Sequence, residues 1–265
     1  MNVTFVGFGN MGKAIAQGLK GNGKYTMSAT SPSLPVGVNA DNIATNPDNT
    51  AFISRADIVI LAVKPVQMRD VVEEIKPFLL KKTLIISVAA GISIQWFAQN
   101  SLSDFPLVRA MPNIAASLLL SATPLFANSH VNKNQLREIE DIFNTIGITT
   151  WVKEEKLLDT FTALSGSGPA YFFEFLSVLV KGATQLGLPE EIAHTFTLQT
   201  MRGALHLASA NNQSFSELKK KVTSKKGTTE AALDILLQRG FEKIIIEAMQ
   251  AAYHRAQEIG QLQEN

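Results

Sequence analysis

The sequence predicts an α/β first half, built on a doubly wound and mostly parallel sheet, followed by an all-helical second half. Three observations support this fold class. Short apolar runs rich in β-branched residues alternate with helical segments as far as residue 153. A glycine-rich turn links the first run to the first helix, and after Lys153 no further strand pattern is found. We therefore expect two domains, at residues 1–153 and 154–265.

The composition describes a globular chain and excludes several functions. The 265 residues are 46% hydrophobic and 18% charged, which is enough for a substantial core. The chain has no cysteine, which excludes disulfides, thiolate metal sites and cysteine nucleophiles. A net charge of +1 gives no general attraction for nucleic acid. Because we find no run of about 18 apolar residues and no basic leader, we expect a cytoplasmic protein without a membrane span.

The first strand and the turn after it carry the strongest motif. Val3–Val6 is a buried-strand pattern, and Gly7–Gly12 reads G-x-G-x-x-G before a helix, which is the context that a dinucleotide fingerprint requires. Gly7 would make the tight turn, Gly9 would let the backbone approach a pyrophosphate, and Gly12 would let the helix pack closely. The helix N-terminus favours phosphate. The alternative is a glycine-rich turn that binds nothing.

The end of the second strand bears on the choice of nicotinamide cofactor. The strand is predicted at 25–29 and ends in Thr30, Ser31 and Pro32, without the acid that commonly binds the ribose 2′-hydroxyl of NAD. Small hydroxyls leave room for a 2′-phosphate and can donate hydrogen bonds to it. The sequence therefore favours NADP(H), with NAD(H) use also open.

Three further strands end at the same predicted edge of the sheet. They are expected at 57–63, 83–88 and 107–113, and Lys64, Ala89 and Asn113 lie at or just after their ends. Ligands of such sheets sit at the carboxyl ends of the strands, although small residues there also simply close tight turns. A helix at 66–78, a strand at 125–127, a helix at 132–145 and a strand at 148–152 complete this half.

The second half opens with a helix that is apolar on nearly every face. It is expected to begin near Ser165–Tyr171, with Ser167 as its N-cap and Pro169 in its first turn. The stretch 171–186 must be buried, and a domain of this size has little room for it. We therefore expect a second copy of the chain to cover it, as a homodimer.

A polar loop in the second half is a candidate anion site. Ser214 and Glu217 form a capping-box pattern before a short helix, and Val222–Thr229 then leads into another helix that stops at Gly240. Hydroxyls, lysines and a helix start coincide in this loop. The alternative is an ordinary N-cap at Thr228 or Thr229, with the lysines on a solvated face. A last helix is expected at 241–259.

Five segments together resemble the pyrroline-5-carboxylate reductase family over essentially the whole chain. They are Gly7–Gly12, Ala62–Pro65, Arg109–Asn113, Leu164–Tyr171 and Val222–Thr229, of which the Ser-Gly-Ser-Gly-Pro-Ala-Tyr run is the most specific. The resemblance implies reduction of 1-pyrroline-5-carboxylate to L-proline with NAD(P)H, the last step of proline synthesis. It also implies a Rossmann domain, an interlocked helical dimer domain and, in many members, decamers.

The resemblance assigns residues to two sites. The cofactor-binding residues it implies are Val6, Gly7, Phe8, Gly9, Asn10, Met11, Thr30, Ser31, Asn49, Ala62, Val63, Lys64, Pro65, Val88, Ala89 and Ala90, to which the strand pattern adds Asn113. The substrate-binding residues are Ser224, Gly227, Thr228, Thr229, Gly168 and Pro169.

Three departures from the family pattern affect the substrate assignment, one of which is Asn211-Asn212 and Phe215 around Ser214, where the family usually carries an acid and a proline. The family usually has Pro-Gly where this chain has Lys225-Lys226, and lysine lacks the access of glycine to positive φ. The family usually follows Met-Pro-Asn with Thr-Pro, where this chain has Ile114-Ala115. These changes leave two alternatives open: a related NADP-dependent imine or oxo-acid reductase, or a catalytically silent nucleotide-binding paralogue.

The reaction needs few catalytic groups from the protein, because a protonated imine is already electrophilic and the cofactor supplies hydride. Thr229 is our candidate catalytic residue, as a hydrogen-bond partner of the ring nitrogen, directly or through water. The four histidines, His130, His194, His206 and His254, show no ligand or triad spacing, so we expect no metal site. The identity of the proton donor, the NADPH to NADH ratio, the assembly size and feedback by proline do not follow from the sequence.

Overall fold

A computed structural model describes residues 1–210 and 212–264, with side chains to residue 261. The chain divides into two compact units. The first consists of Met1–Ser167 together with the chain from Ala251 onward, and the second is Gly168–Gln250. Our domain division at residue 153 rests on the secondary-structure pattern and stays a prediction.

The first unit is built on one sheet, for which the described residues supply nine strands. Their bounds are β1 Asn2–Val6, β2 Thr26–Thr30, β3 Gly37–Val38, β4 Ala44–Asn46, β5 Ile58–Leu61, β6 Leu84–Ser87, β7 Leu107–Ala110, β8 Ser121–Ala127 and β9 Gly147–Trp151. The spatial order is β3-β4-β2-β1-β5-β6-β7-β8-β9. All neighbouring pairs are parallel except β3 with β4 and β7 with β8. The predicted doubly wound, mostly parallel sheet is confirmed.

The order of the strands reverses at β1, which pairs with β2 on one side and β5 on the other. The crevice at such a switch point is where open α/β sheets bind ligands. Two short strands, β3 and β4, were not predicted, and β8 begins at Ser121 rather than at residue 125. Strands of two or three residues are too short to show an alternating pattern.

Five helices belong to the first unit: α1 Asn10–Leu19, α2 Met68–Ile75, α3 Ile94–Phe97, α4 Lys133–Asn144 and α5 Leu157–Phe161. The sheet residues alternate between two cores. Phe5 and Ile60 pack in one core with Ile15 of α1 and Phe143 of α4. Val6, Val59 and Leu61 pack in the other core, which holds the apolar side chains of α2 and α3. This alternation covers both faces of the sheet, as parallel strands require.

The helix predicted at 66–78 is shorter and has a tight turn at each end. α2 is flanked by 3₁₀ turns at Pro65–Gln67 and Lys76–Phe78, each with a proline in its first two positions. Proline is tolerated there because the first residues of a helix have no intrahelical acceptor for their N–H groups.

The second unit is entirely helical. Its helices are α6 Gly168–Gln185, α7 Glu190–Ala210, α8 Phe215–Lys221, α9 Thr228–Gln238 and α10 Phe241–Glu264, the last of which continues into the first unit. The capping box of α8 is confirmed, since the Ser214 hydroxyl accepts the Glu217 N–H and the Glu217 carboxylate accepts the Ser214 N–H.

The predicted N-cap of α6 at Ser167 is wrong. Ser167 has helical backbone angles, with φ −84° and ψ −21°, and its N–H donates to the Thr162 carbonyl over 2.8 Å. An N-cap residue needs extended angles so that its side chain can turn back to the first N–H groups. The preceding turn, Thr162–Gly166, is wound as a π-helix, and the chain passes from it directly into α6.

Apolar side chains of α6 lie exposed on the single chain. Phe172, Phe173 and Val178 are each more than half exposed, and Gly168 is the one fully buried residue of the helix. By length and composition alone, the helical stretch Leu157–Gln185 could also cross a membrane, a weak test that helices of other proteins pass too. Our count of apolar runs had found no such stretch.

Candidate cofactor and substrate sites

Gly7 makes the turn that closes β1, as predicted. Its φ is +85°, and its N–H donates to the Thr30 carbonyl over 2.8 Å. A methyl group at Gly7 would stand 2.7 Å from Val63 Cγ1 and 2.8 Å from the Ala62 carbonyl. Both the backbone angle and the lack of space therefore require glycine, and Gly7 is brought against the end of β5.

The other two glycines of the motif differ in their surroundings. A methyl group at Gly12 would stand 2.8 Å from the Gly7 carbonyl oxygen, so Gly12 permits the close approach of α1. No atom lies within 4 Å of the same position at Gly9, which is the N-cap of α1 and has no side-chain capping bond. The first turn of α1 also carries no acid. This leaves free N–H groups and open space where a pyrophosphate would bind.

The ends of three neighbouring strands meet beside this turn. The Ala62 N–H donates to the Val6 carbonyl over 2.8 Å, and the Val88 N–H donates to the Leu61 carbonyl over 3.1 Å. Lys64 is exposed and precedes the 3₁₀ turn that begins at Pro65. Of the remaining residues assigned to this edge, Ala89 is buried and Ala90 is half-buried. The structure thus brings the predicted segments 62–65 and 88–90 together with Gly7.

The side chains of Val6 and Phe8 are buried, so only their backbone could bind the predicted cofactor. Val6 is fully buried in the core, and the Phe8 ring packs edge-to-face on Phe5 with centroids 5.8 Å apart. Asn10 and Met11 begin α1, where Asn10 is exposed and Met11 half-buried.

The two predicted hydroxyls at the end of β2 point to different places. Thr30 is fully buried, and its Oγ1 donates to the Phe5 carbonyl over 3.4 Å. Ser31 is half-buried, and its Oγ lies 3.3 Å from the Oγ of the exposed Ser33. Ser33 was missed because it follows Pro32, beyond the residues of the strand. A pair of accessible hydroxyls therefore stands at this edge, formed by Ser31 and Ser33.

Asn49 holds a polar atom without a partner. The side chain is 8% exposed, and its Nδ2 donates to the Glu74 carboxylate over 2.8 Å. Its Oδ1 is buried and has no hydrogen-bond partner in the described residues. A buried acceptor without a donor is costly, and a hydroxyl of a bound nucleotide would satisfy it. This observation, with the open space at Gly9, fits the predicted dinucleotide.

Asn113 is used by the protein itself. Its Oδ1 accepts the Ala115 N–H over 3.1 Å, and its Nδ2 donates to the Ser165 carbonyl over 2.9 Å. These bonds cap the 3₁₀ turn Ile114–Leu118 and tie it to the π-helical turn before α6. The predicted contact of Asn113 with cofactor stays a prediction.

A partly buried ion pair at Arg109 was not predicted. Arg109 is 7% exposed, and its Nη1 donates to Glu155 Oε1 over 2.7 Å. The same oxygen accepts the Ile94 N–H over 2.7 Å. Burial raises the pKa of the nearby Asp159 carboxyl, opposed by the Arg109 charge and reinforced by that of Glu155. An arginine inside an apolar strand was the one sequence signal for this cluster.

The loop before α9 presents unpaired hydroxyls. α9 begins at Thr228, and its N-cap is Gly227, with no side-chain capping bond. The alternative of an ordinary N-cap at Thr228 or Thr229 is therefore wrong. In the described part of the chain, no hydrogen bond uses the hydroxyls of Ser224, Thr228 or Thr229, and Thr229 is half-buried. The first N–H groups of α9 and these hydroxyls are available to an anion.

The two lysines of this loop preserve a tight turn. We call residues 224–227 the lysine turn. The Gly227 N–H donates to the Ser224 carbonyl over 3.0 Å, and Lys226 has φ +58°. A positive φ at the third position is what a type II turn requires, and Pro-Gly is a favoured sequence for its centre. Lys226 thus takes the left-handed conformation without being glycine, and the Glu230 carboxylate accepts its backbone N–H.

The remaining predicted substrate residues, Gly168 and Pro169, are the first two residues of α6. Among the described residues, no hydrogen bond joins either of them to the lysine turn. No group of three or more His, Asp or Glu side chains that could hold a metal ion is found in the described residues either.

Two family models match the chain. Residues 155–259 match a model described as pyrroline-5-carboxylate reductase dimerisation, and residues 2–91 match one described as NADP oxidoreductase, coenzyme F420-dependent. The first region contains the exposed apolar helices of the second unit.

Relatives of this chain share its whole length. The chain is 35% identical to a pyrroline-5-carboxylate reductase of Pseudomonas aeruginosa, covering 98% of this chain and 97% of that protein. A solved pyrroline-5-carboxylate reductase of Coxiella burnetii is 39% identical, with a TM-score of 0.89 over 97% of this chain and 98% of the other. A Plasmodium falciparum pyrroline carboxylate reductase, solved with NADP bound, is 28% identical, with a TM-score of 0.88 over 98% of both chains.

Proposed function

The chain belongs to the pyrroline-5-carboxylate reductase family, and we propose here how its own residues carry out that reaction. The enzyme reduces 1-pyrroline-5-carboxylate to L-proline, the last step of proline biosynthesis. A nicotinamide cofactor supplies the hydride. What remains for the protein is to hold the cofactor, orient the imine and exclude water.

The observation that carries the substrate assignment is the uncapped start of α9. Within the described residues, its first N–H groups have no side-chain partner, and the hydroxyls of Ser224, Thr228 and Thr229 form no hydrogen bond. We assign the substrate carboxylate to the N–H groups of this turn together with Ser224 and Thr228, because a helix N-terminus favours a negative group. Gly227, Gly168 and Pro169 are assigned to the wall of the same site.

Thr229 is assigned the hydrogen bond to the ring nitrogen. Thr229 is half-buried, and its hydroxyl forms no hydrogen bond within the described residues. It is next in sequence to Thr228 of the proposed carboxylate site. A hydroxyl can accept a hydrogen bond from the protonated imine and donate one to the amine that forms. The residue therefore serves both the substrate and the product state without a change of its own charge.

The cofactor is assigned to the crevice at the end of β1, along the segments 6–11, 62–65 and 88–90. The N–H groups at the start of α1 would hold the pyrophosphate, and Asn49 would accept from a ribose hydroxyl. The hydroxyls of Ser31 and Ser33 would donate to a 2′-phosphate, so we propose that NADP(H) is preferred and NAD(H) is also used. No acid was found at the end of β2 to select NAD.

The assembly that we propose is a homodimer formed through the helices of residues 155–259. The exposed apolar residues of α6 support this, because a surface of this kind is normally covered. Decamers stay a prediction, as does a cytoplasmic protein with no membrane or nucleic-acid partner.

The lysine turn favours one second candidate, reduction of another anionic imine or oxo acid at the same loop. The test is a direct assay with purified protein, pyrroline-5-carboxylate and either NADPH or NADH, following loss of reduced nicotinamide and formation of proline. Proline formation is the expected result. Cofactor binding without turnover of this imine would refute the substrate assignment and favour either the second candidate or a silent nucleotide-binding paralogue.

A further inference from the structure

We propose that Lys225 and Lys226 lower the KM for the anionic substrate by drawing it to the loop before α9. The inference rests on the proposed role of this loop in carboxylate binding. The two ammonium groups attract the substrate carboxylate electrostatically without contacting it, both before and after it binds. They take no part in hydride transfer.

The two lysines of the lysine turn carry exposed charges. Both lysine side chains are exposed, and within the described residues neither forms an ion pair. Elsewhere in the chain, lysines pair closely with acids, as Lys20 does with Asp41 and Lys81 with Asp104, at 2.7 and 2.8 Å. The three lysines 219–221 at the end of α8 are equally exposed and unpaired in the described part.

One acid lies close to the turn, and it engages the backbone. Glu230, in the first turn of α9, accepts the backbone N–H of Lys226. Its charge offsets one of the two lysines, so that residues 222–230 keep a net charge of +1 (two lysines less one glutamate). The lysines of α8 add to this, and the whole segment stays cationic.

The backbone fixes where the two lysine residues lie in the turn. The Ser224–Gly227 hydrogen bond closes the turn, and Lys226 occupies the left-handed region at φ +58°. A non-glycine residue in this region is held there at a cost in energy. The two charged residues therefore occupy the centre of a defined turn next to the free N–H groups of α9.

Attraction of this kind has a recognisable kinetic signature. A charge several ångströms from the carboxylate stabilises the bound substrate and the transition state about equally, so it lowers KM and leaves kcat unchanged. At 0.1 M salt, interactions between exposed charges more than about 10 Å apart are largely screened, and this distance shortens as ionic strength rises, so the effect fades with added salt.

The experiment compares the wild-type enzyme with the double variant Lys225→Gln, Lys226→Gly, in which glycine keeps access to the positive φ. A matched control, Lys133→Gln with Lys153→Gln, removes two exposed and unpaired lysines far along the sequence from the loop. KM and kcat for pyrroline-5-carboxylate are measured from low to high sodium chloride. At low salt we expect KM of the double variant to be about threefold to tenfold higher, with kcat unchanged.

The salt series separates the possible outcomes. The inference is supported if the double variant and the wild type have the same KM at about 0.5 M salt. The control variant should have the wild-type KM throughout the series. If the enzyme turns over pyrroline-5-carboxylate but KM changes with salt equally in the double variant and the wild type, this inference alone is overturned. No turnover of pyrroline-5-carboxylate by the wild type would overturn the proposed function and this inference with it.

Discussion

The backbone of Gly260, near the end of α10, touches the backbone of Gly91, in the loop that follows β6. A methyl group on Gly260 would stand 3.0 Å from the Gly91 carbonyl oxygen, and one on Gly91 would stand 2.8 Å from Ile259 Cγ2. Gly91 also has φ +76°. Two glycines thus allow a helix to pack against the loop that follows directly on Val88–Ala90, the segment that we assign to the cofactor.

Replacing Gly91 should disturb both stability and cofactor binding. We expect Gly91→Ala to lower the free energy of unfolding by about 2–4 kcal/mol, from the positive φ together with overpacking against Ile259. The KM for the cofactor should rise as the loop shifts. Gly21→Ala is the control, because Gly21 has φ +82° and open space around it. Equal losses in chemical denaturation of the two variants would show that the packing contact contributes nothing.

Lys226→Gly should stabilise the enzyme. Relief of the left-handed lysine gains about 1–2 kcal/mol, and the greater freedom of glycine in the unfolded chain takes back roughly 0.5–1. We therefore expect a net gain of between zero and about 1.5 kcal/mol in urea denaturation. Lys225→Gly has no positive φ to relieve and should be neutral or destabilising. A lower stability of Lys226→Gly would contradict the strained turn.

Thr229→Ala should lower kcat/KM for pyrroline-5-carboxylate. Loss of one hydrogen bond to the ring nitrogen costs about 1–3 kcal/mol of transition-state stabilisation, or roughly 5-fold to 150-fold in rate. Thr229→Ser keeps the hydroxyl and should retain most of the activity. Steady-state kinetics at saturating NADPH make the comparison, and an unchanged kcat/KM in the alanine variant would exclude this role for Thr229.

Ser31→Asp should reverse the cofactor preference. A carboxylate beside Ser33 would repel a 2′-phosphate and accept a hydrogen bond from a 2′-hydroxyl, so kcat/KM with NADPH should fall about tenfold or more relative to NADH. Thr30→Val is the control, since the Thr30 hydroxyl is buried against the Phe5 carbonyl and should affect stability only. A cofactor ratio that moves with Thr30 and not with Ser31 would refute the assignment.

Asp159 should give the folded state a measurable pH dependence. Burial raises its pKa, so the folded protein holds this proton more tightly than the unfolded chain. Its contribution to stability is present below the ordinary carboxyl pKa of 3.8 and is lost as pH rises through the higher pKa of the folded state. Asp159→Asn should remove this loss and be more stable at pH 7. Parallel stability curves for the two proteins, measured by denaturation from pH 4 to 7, would contradict it.

The meeting of three strand ends at the proposed cofactor crevice could be predicted because parallel strands end at one edge of a sheet. The segments after β1, β5 and β6 were expected to meet, and the hydrogen bonds of Ala62 and Val88 join them. β3 and β4 were missed because so few residues carry no periodic signal. The ion pair of Arg109 with Glu155 was missed because its partners lie 46 residues apart.

The direction of a side chain was the least predictable feature. Thr30 and Ser31 are adjacent hydroxyls at a strand end, yet one points into the core and the other to the surface. Successive side chains of a strand face opposite sides, but which side is buried at a strand end depends on what packs there. The buried Asn49 Oδ1, which has no donor in the described residues, could not be predicted from the sequence either. Its orientation depends on the hydrogen bond from Asn49 Nδ2 to the distant Glu74.

By itself, the sequence determined the alternation of the longer strands and helices, the glycine turn after β1 and the family to which the chain belongs, because these depend on local patterns and short motifs. Tertiary structure alone decided that Thr30 is buried, that Lys226 takes a positive φ, and that Gly260 meets Gly91. Each of these is set by atoms that are distant in the chain or by the closure of a turn. Packing and backbone geometry fix such features, and no local pattern of residue types records them.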